Sequence, residues 1–144
     1  VKSGVPVCLM HMQNQPAMMQ SQPQYADVVG EVQGFLMQRR EQCIVAGIDA
    51  RDILIDPGFG FGKTTAHNLM LFKSLDQLVA TGVPLLVGVS RKRMIGELLN
   101  ASADQRLIGS VTMALLAAQK GAAIVRVHDV TETVQALKML HHCE

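Results

Sequence analysis

Residues 53–63 read ILIDPGFGFGK: a short apolar run, a carboxylate at Asp56, then glycines at 58, 60 and 62 alternating with Phe59 and Phe61 before Lys63. The run predicts a buried strand that ends in a chemically capable loop. The loop resembles a phosphate-binding loop, but that pattern requires a glycine where Pro57 stands. It also misses the dinucleotide spacing, because its last glycine comes two residues after the middle one rather than three. A flat ligand suits it better. A carboxylate at a strand tip can accept two parallel hydrogen bonds from a cyclic amidine-like edge such as a 2-amino-4-oxopyrimidine, while glycines allow close backbone approach and phenylalanine offers a ring face or edge. The plain alternative is that Asp56-Pro57-Gly58 forms an ordinary turn around a satisfied aspartate.

Three further runs have the same aliphatic character: VPVCLM from Val5 to Met10, VPLLVGV from Val83 to Val89 and AAIVRV from Ala122 to Val127. They are nearly continuous rather than alternating, as expected of parallel strands covered on both faces. Between them lie helical periods. Val28, Val29, Val32, Phe35, Leu36 and Cys43 recur at helical spacing before Gly47, and Leu69, Phe72, Leu75, Leu78 and Val79 do so before Gly82. A third helix is predicted after a Ser102–Gln105 capping box, with Leu107, Ile108, Val111, Leu115 and Ala118 on one face and Lys120-Gly121 at its end. The last starts from an Asp129–Glu132 box and carries Val130, Val134, Leu137 and Leu140.

Alternating strands and helices permit a doubly wound sheet or a (β/α)8 barrel. His11, Asp56, Ser90-Arg91-Lys92 and Arg126 with His128-Asp129 fall at the C-terminal ends of successive strands, which is the normal place for a barrel active site. The fold class is therefore α/β: about four βα units with parallel strands, the C-terminal half of a TIM barrel. Residues 1–144 form a single segment, and the start at Val1, running almost at once into a strand, suggests that an N-terminal half is absent. Unpaired strand edges then need a cover, from that half or from another chain.

The formal net charge of +1 gives no reason to expect nucleic acid, so any anion chemistry must come from locally placed cations. No stretch approaches the roughly 20 apolar residues of a membrane span. Cys8, Cys43 and Cys143 are odd in number and far apart, which reads as reduced thiols in a cytoplasmic protein.

Taken together, LMHM at 9–12, LIDPGFGFGK at 54–63, LLVGVSRKRMIG at 85–96, RLIGS at 106–110 and VRVHDV at 125–130 closely resemble the C-terminal half of the dihydropteroate synthases. That resemblance runs over essentially the whole chain. It implies a barrel enzyme of folate biosynthesis, the target of sulfonamides, joining 6-hydroxymethyl-7,8-dihydropterin pyrophosphate to 4-aminobenzoate with release of pyrophosphate. It makes Asp56 the carboxylate that grips the pterin and places Met10, Phe61 and Gly88 along the pterin slot. Lys92 would reach the pterin ring and border the aminobenzoate site, with Ser90 near the aminobenzoate carboxylate. Arg126 would stack on the pterin and, with His128, face the pyrophosphate. The resemblance also implies Mg2+, with its ligand in the missing N-terminal half, and the expected assembly is a homodimer. The isolated segment, lacking the front-half loops, is expected to have negligible turnover. Two alternatives stand beside this: a pterin-binding methyltransferase barrel, and a non-catalytic half-barrel that self-associates.

Plainer roles are available for several residues. Met12, Met18 and Met19 read as adaptable packing. His141, His142 and Cys143 read as a frayed tail rather than a metal site. Thr64 stands where relatives commonly have asparagine.

Overall fold

A computed structural model describes residues 4–13 and 23–143. Met18 and Met19 lie outside the described residues. The strands are β1 (Val7–Met10), β2 (Ile53–Asp56), β3 (Leu86–Val87) and β4 (Ile124–Val125). The helices are α1 (Val28–Val45), α2 (Thr65–Lys73), α3 (Leu75–Val79), α4 (Arg93–Leu99), α5 (Leu107–Gln119) and α6 (Val130–Cys143). β1 pairs with β2 and β3 with β4, both in parallel, and a parallel bridge from Ile55 to Leu85 joins the two pairs. The strands thus lie side by side in sequence order, without the reversal of a doubly wound sheet.

Register fixes which side chains share a face. Met10 is opposite Asp56, Cys8 opposite Leu54 and Leu86 opposite Ile124, so these point to one side. Leu9, Ile55, Leu85, Val87 and Val125 point to the other and join the core under the helices. The core draws on Val28, Val32 and Leu36 of α1, on Leu71, Leu75 and Leu78 of α2 and α3, and on Met94 and Ile95 of α4. Full cover on both faces, expected from the continuous aliphatic runs, comes nearest in β2, where Leu54 is half-buried, and fails in β1 and β4, where Cys8, Met10 and Ile124 are exposed. In a closed barrel that second face is the interior.

Several local expectations are corrected. The second helical segment is two helices, since Ser74 both ends α2 and precedes α3. The segment after Lys92 forms α4, which the strand-end motif concealed. The Ser102–Gln105 box closes a short 3-10 turn, Ala103–Gln105, and α5 buries Ser110, Ala114 and Ala117 while Ile108 is 74% exposed. The Asp129 carboxylate pairs with Arg91 instead of closing a box. α6 runs through His141 and His142 to Cys143 rather than fraying, and buries Thr133 while Val130 and Val134 are exposed. Lys120 and Gly121, the latter with φ 93, close α5 as expected, and the Lys120 side chain also reaches across to the Lys73 carbonyl at 3.1 Å. Gly47, with φ 96, ends α1 as expected.

Gly58 is the tightest glycine of the strand-end loops. Its φ is 68, and a Cβ there would lie 1.9 Å from the His11 carbonyl oxygen. Gly82 also has positive φ (72) but open space around it. Gly82→Ala should therefore cost only the left-handed strain, about 1 kcal/mol. Gly58→Ala adds a backbone clash and should cost about 3 kcal/mol or more by urea unfolding; equal costs would show that the close approach is unimportant.

Candidate functional site

The site forms where alternation and strand ends coincide. Met10 and Asp56 are register partners at the ends of β1 and β2, and Gly88 and Arg126, just past β3 and β4, continue the same face. Arg126 lies against Gly88: a Cβ there would sit 3.1 Å from one guanidinium nitrogen and 3.2 Å from Nε. A side chain at Gly88 would press on the guanidinium, so the glycine lets it cross the strand end closely. Asp56 is 4% exposed. Burial pushes its carboxyl pKa up, opposed by the Gly58 N–H and by Arg126, Lys92 and Lys63 nearby. Oδ1 accepts the Gly58 N–H at 2.7 Å, which leaves its second lone pair and all of Oδ2 for further donors.

The loop after Asp56 turns its polar groups into the protein. Gly60 N–H donates to Asn68 Oδ1 at 2.8 Å and Phe61 N–H to the Gly58 carbonyl at 3.1 Å. Tyr25 Oη donates to the Gly62 carbonyl at 2.9 Å. Lys63, 3% exposed, directs its ammonium to the Gly58 carbonyl (3.0 Å), the Phe61 carbonyl (3.2 Å) and His11 Nδ1 (2.9 Å). An ammonium cannot accept, so His11 Nδ1 accepts and the neutral imidazole carries its proton on Nε2. Burial, then the neighbouring Lys63 charge, lowers the His11 pKa to about 4. Burial lowers that of Lys63 to about 8. With these amides and this lysine bonded inward, the loop does not cradle phosphate. Thr64 caps α2 by accepting the His67 N–H at 3.2 Å, a position where asparagine serves equally.

The third strand end supplies the remaining groups. The Ser90 hydroxyl accepts the His128 N–H at 3.2 Å and meets His128 Nδ1 at 3.0 Å. The Lys92 ammonium lies 4.2 Å from the Phe61 ring centroid, a cation–π contact. Burial, then Arg126, lowers the Lys92 pKa, opposed by Asp56. Gly88, Ser90, Lys92, Arg126 and His128 line one depression. Lys92 also borders a second, with Gly60, Thr64, Arg93 and Glu97.

Such a rim, one buried carboxylate amid cations, suits a ligand with an N–H edge and an anionic tail. The family model "Pterin binding enzyme" matches residues 1–128. The chain belongs to the pterin-binding enzyme family. It is 50% identical over 139 residues to the dihydropteroate synthase of Haemophilus influenzae, covering 96% of this chain and 50% of that protein. The Yersinia pestis dihydropteroate synthase in a sulfonamide drug complex superposes with a TM-score of 0.95 at 51% identity, covering 99% of this chain and 52% of that one. The Xanthomonas albilineans enzyme in complex with 7,8-dihydropteroate superposes with a TM-score of 0.90 at 52% identity, again covering 99% and 52%. The chain spans about half the length of the relatives it matches.

Within this chain Met10, Asp56, Gly88 and Arg126 share one face, and Lys92 with Phe61 closes beside it. Ser90, expected at an aminobenzoate carboxylate, borders the same depression and holds His128 through its hydroxyl. Sequence reasoning missed the supports: Asn68 and Tyr25 lie inside helical and turn segments, and no local pattern announces that Lys63 turns inward to His11. Among the described residues no group of three His, Cys, Asp or Glu could hold a metal. Asp56, ringed by Arg126, Lys92 and Lys63, does not suit a divalent cation.

Lys63→Met strands three acceptors and should lower stability by about 3 kcal/mol in urea. For His11 the folded pKa lies below the unfolded value of 6.5, so the unfolded chain binds more protons between pH 6.5 and about 4. Stability should fall on acidification through that window, and His11→Phe should flatten the slope of melting temperature against pH there. An unchanged slope would remove His11 as its source.

Proposed function

We propose that this rim is the pterin and pyrophosphate side of a dihydropteroate synthase site, completed by a front half that the chain does not contain. The observation that carries the reading is the shared face of Met10, Asp56, Gly88 and Arg126, with Lys92 in electrostatic reach of both the carboxylate and the guanidinium. The complex of the Xanthomonas relative with 7,8-dihydropteroate supports it. So does the sulfonamide complex of the Yersinia enzyme, and inhibition by sulfonamides is part of the reading.

In this mechanism Asp56 accepts two N–H bonds from the amino-pyrimidinone edge of the pterin. Arg126, flattened on Gly88, offers its face to the ring and its charge to the pyrophosphate, beside His128 held by Ser90. The bond from the methylene carbon to the pyrophosphate oxygen breaks, and its electron pair leaves with pyrophosphate. The 4-aminobenzoate nitrogen forms the new bond to that carbon and loses a proton. Donors aimed at the departing oxygens bind the transition state more tightly than the ground state, commonly by about 3 kcal/mol each. Lys92 over Phe61 borders the place where the arylamine enters.

The magnesium that the resemblance implies belongs, in this reading, to ligands outside the chain. No helix among the described residues is long and apolar enough to cross a membrane, and the three thiols are unpaired, which supports a cytoplasmic setting. The assembly we infer is a homodimer, supported by exposed Ile108, Leu116, Val130 and Met139 on α5 and α6.

The test is pyrophosphate release by the complete barrel with both substrates. Asp56→Asn should raise the KM for the pterin substrate about 100-fold, and Arg126→Gln should lower kcat by a similar factor. Undiminished activity in Asp56→Asn would overturn the assignment. The isolated chain should show negligible turnover.

A further inference from the structure

The segment Arg106 to Ser110 takes no part in the chemistry proposed here, yet it closes on the strand-end residue that lies between Ser90 and Lys92. Arg91 has φ 55, a left-handed conformation unfavourable for a residue with a side chain. Such conformations persist where the surroundings over-determine them. Here both faces of the residue are held from one place. The Arg91 N–H donates to Ser110 Oγ at 2.9 Å, and the Ser110 hydroxyl donates to the Arg106 carbonyl at 2.6 Å. The Arg106 guanidinium donates from Nη1 to the Arg91 carbonyl at 3.1 Å and from Nε to the Ala101 carbonyl at 3.1 Å.

Two glycines make room for this. A Cβ on Gly96 of α4 would lie 2.3 Å from the Arg106 guanidinium, and one on Gly109 would lie 2.6 Å from Ile95 and 2.9 Å from Leu99. The start of α5 can therefore press on α4 and reach Arg91. Ser110 is 2% exposed, so its hydroxyl is committed to these partners. At the other end the Arg91 side chain pairs with Asp129, the residue after His128.

We infer that Arg106 and Ser110 are positioning residues that lock Arg91 in its left-handed conformation and thereby aim Ser90 at His128 and Lys92 at Phe61. Relaxing Arg91 to an ordinary φ would rotate the chain on one side of it, so the two functional side chains could not both keep their contacts. As a statement about catalysis this rests on the proposed function; as a statement about the backbone it does not.

The experiment uses the complete barrel and compares Ser110→Ala in the wild-type background and in an Arg91→Gly background, because glycine takes positive φ unaided. Amide hydrogen exchange across residues 90–92 and steady-state kinetics are both read. In the wild-type background Ser110→Ala should speed exchange and lower kcat/KM for the pterin substrate by about ten-fold. In the glycine background the same change should cost less than about two-fold. Arg106→Gln, whose side chain is only partly buried, should follow the same pattern and serves if Ser110→Ala does not fold. Equal losses in the two backgrounds, or unchanged exchange in both variants, overturn the inference. A wild-type barrel without pyrophosphate release removes the proposed function instead, and exchange alone then decides: faster exchange in the variants supports the lock, and unchanged exchange overturns it.

Discussion

A buried ammonium must place its three N–H groups on acceptors, and Lys63 finds them on two strand ends at once: His11 after β1, and the Gly58 and Phe61 carbonyls after β2. That requirement ties the loop to the neighbouring strand. His11 in turn packs edge-on against Phe35 of α1, with ring centroids 5.0 Å apart, so the same charge anchors the loop to the helical layer. Phe61 can then present its ring to Lys92, and Asp56 can hold one oxygen against Gly58 while the other faces the rim.

The pleat provides the second constraint. Parallel pairing in register sends alternate residues to opposite faces, so the residues that converge are those of matching parity, however far apart in the chain. Met10, Asp56, Gly88 and Arg126 have it. Below them Cys8, Leu54, Leu86 and Ile124 follow the same parity and make a layer of small and aliphatic groups on the uncovered face. The rim is thus the top layer of a barrel interior, polar where the lower layer is apolar.

Much of this was legible because strand ends write themselves in sequence as an aliphatic run followed by a polar residue. Asp56, Lys92, Arg126 and His128 stand out on that basis, and the parallel order of the strands follows from the helical periods between them. Helix faces were less legible. In α5 the buried positions are Ser110, Ala114 and Ala117, because small residues let it press on its neighbours, whereas a hydrophobicity pattern favours Ile108, which is exposed. The polar supports were not legible at all. Asp129 looks like a helix cap and pairs with Arg91; Lys120 ends α5 as its position suggests and also bonds to the Lys73 carbonyl; Ser90 borders the depression and also holds His128. Each uses a partner that only the fold brings near.

The wiring of the 58–63 loop also bears on how a ligand is received. Asn68, Tyr25 and Lys63 have already set the shape of that wall, so docking need not order the chain there. The freedom surrendered on association falls instead on the ligand and on whatever closes over it, which makes this side of the cleft an anvil rather than a jaw.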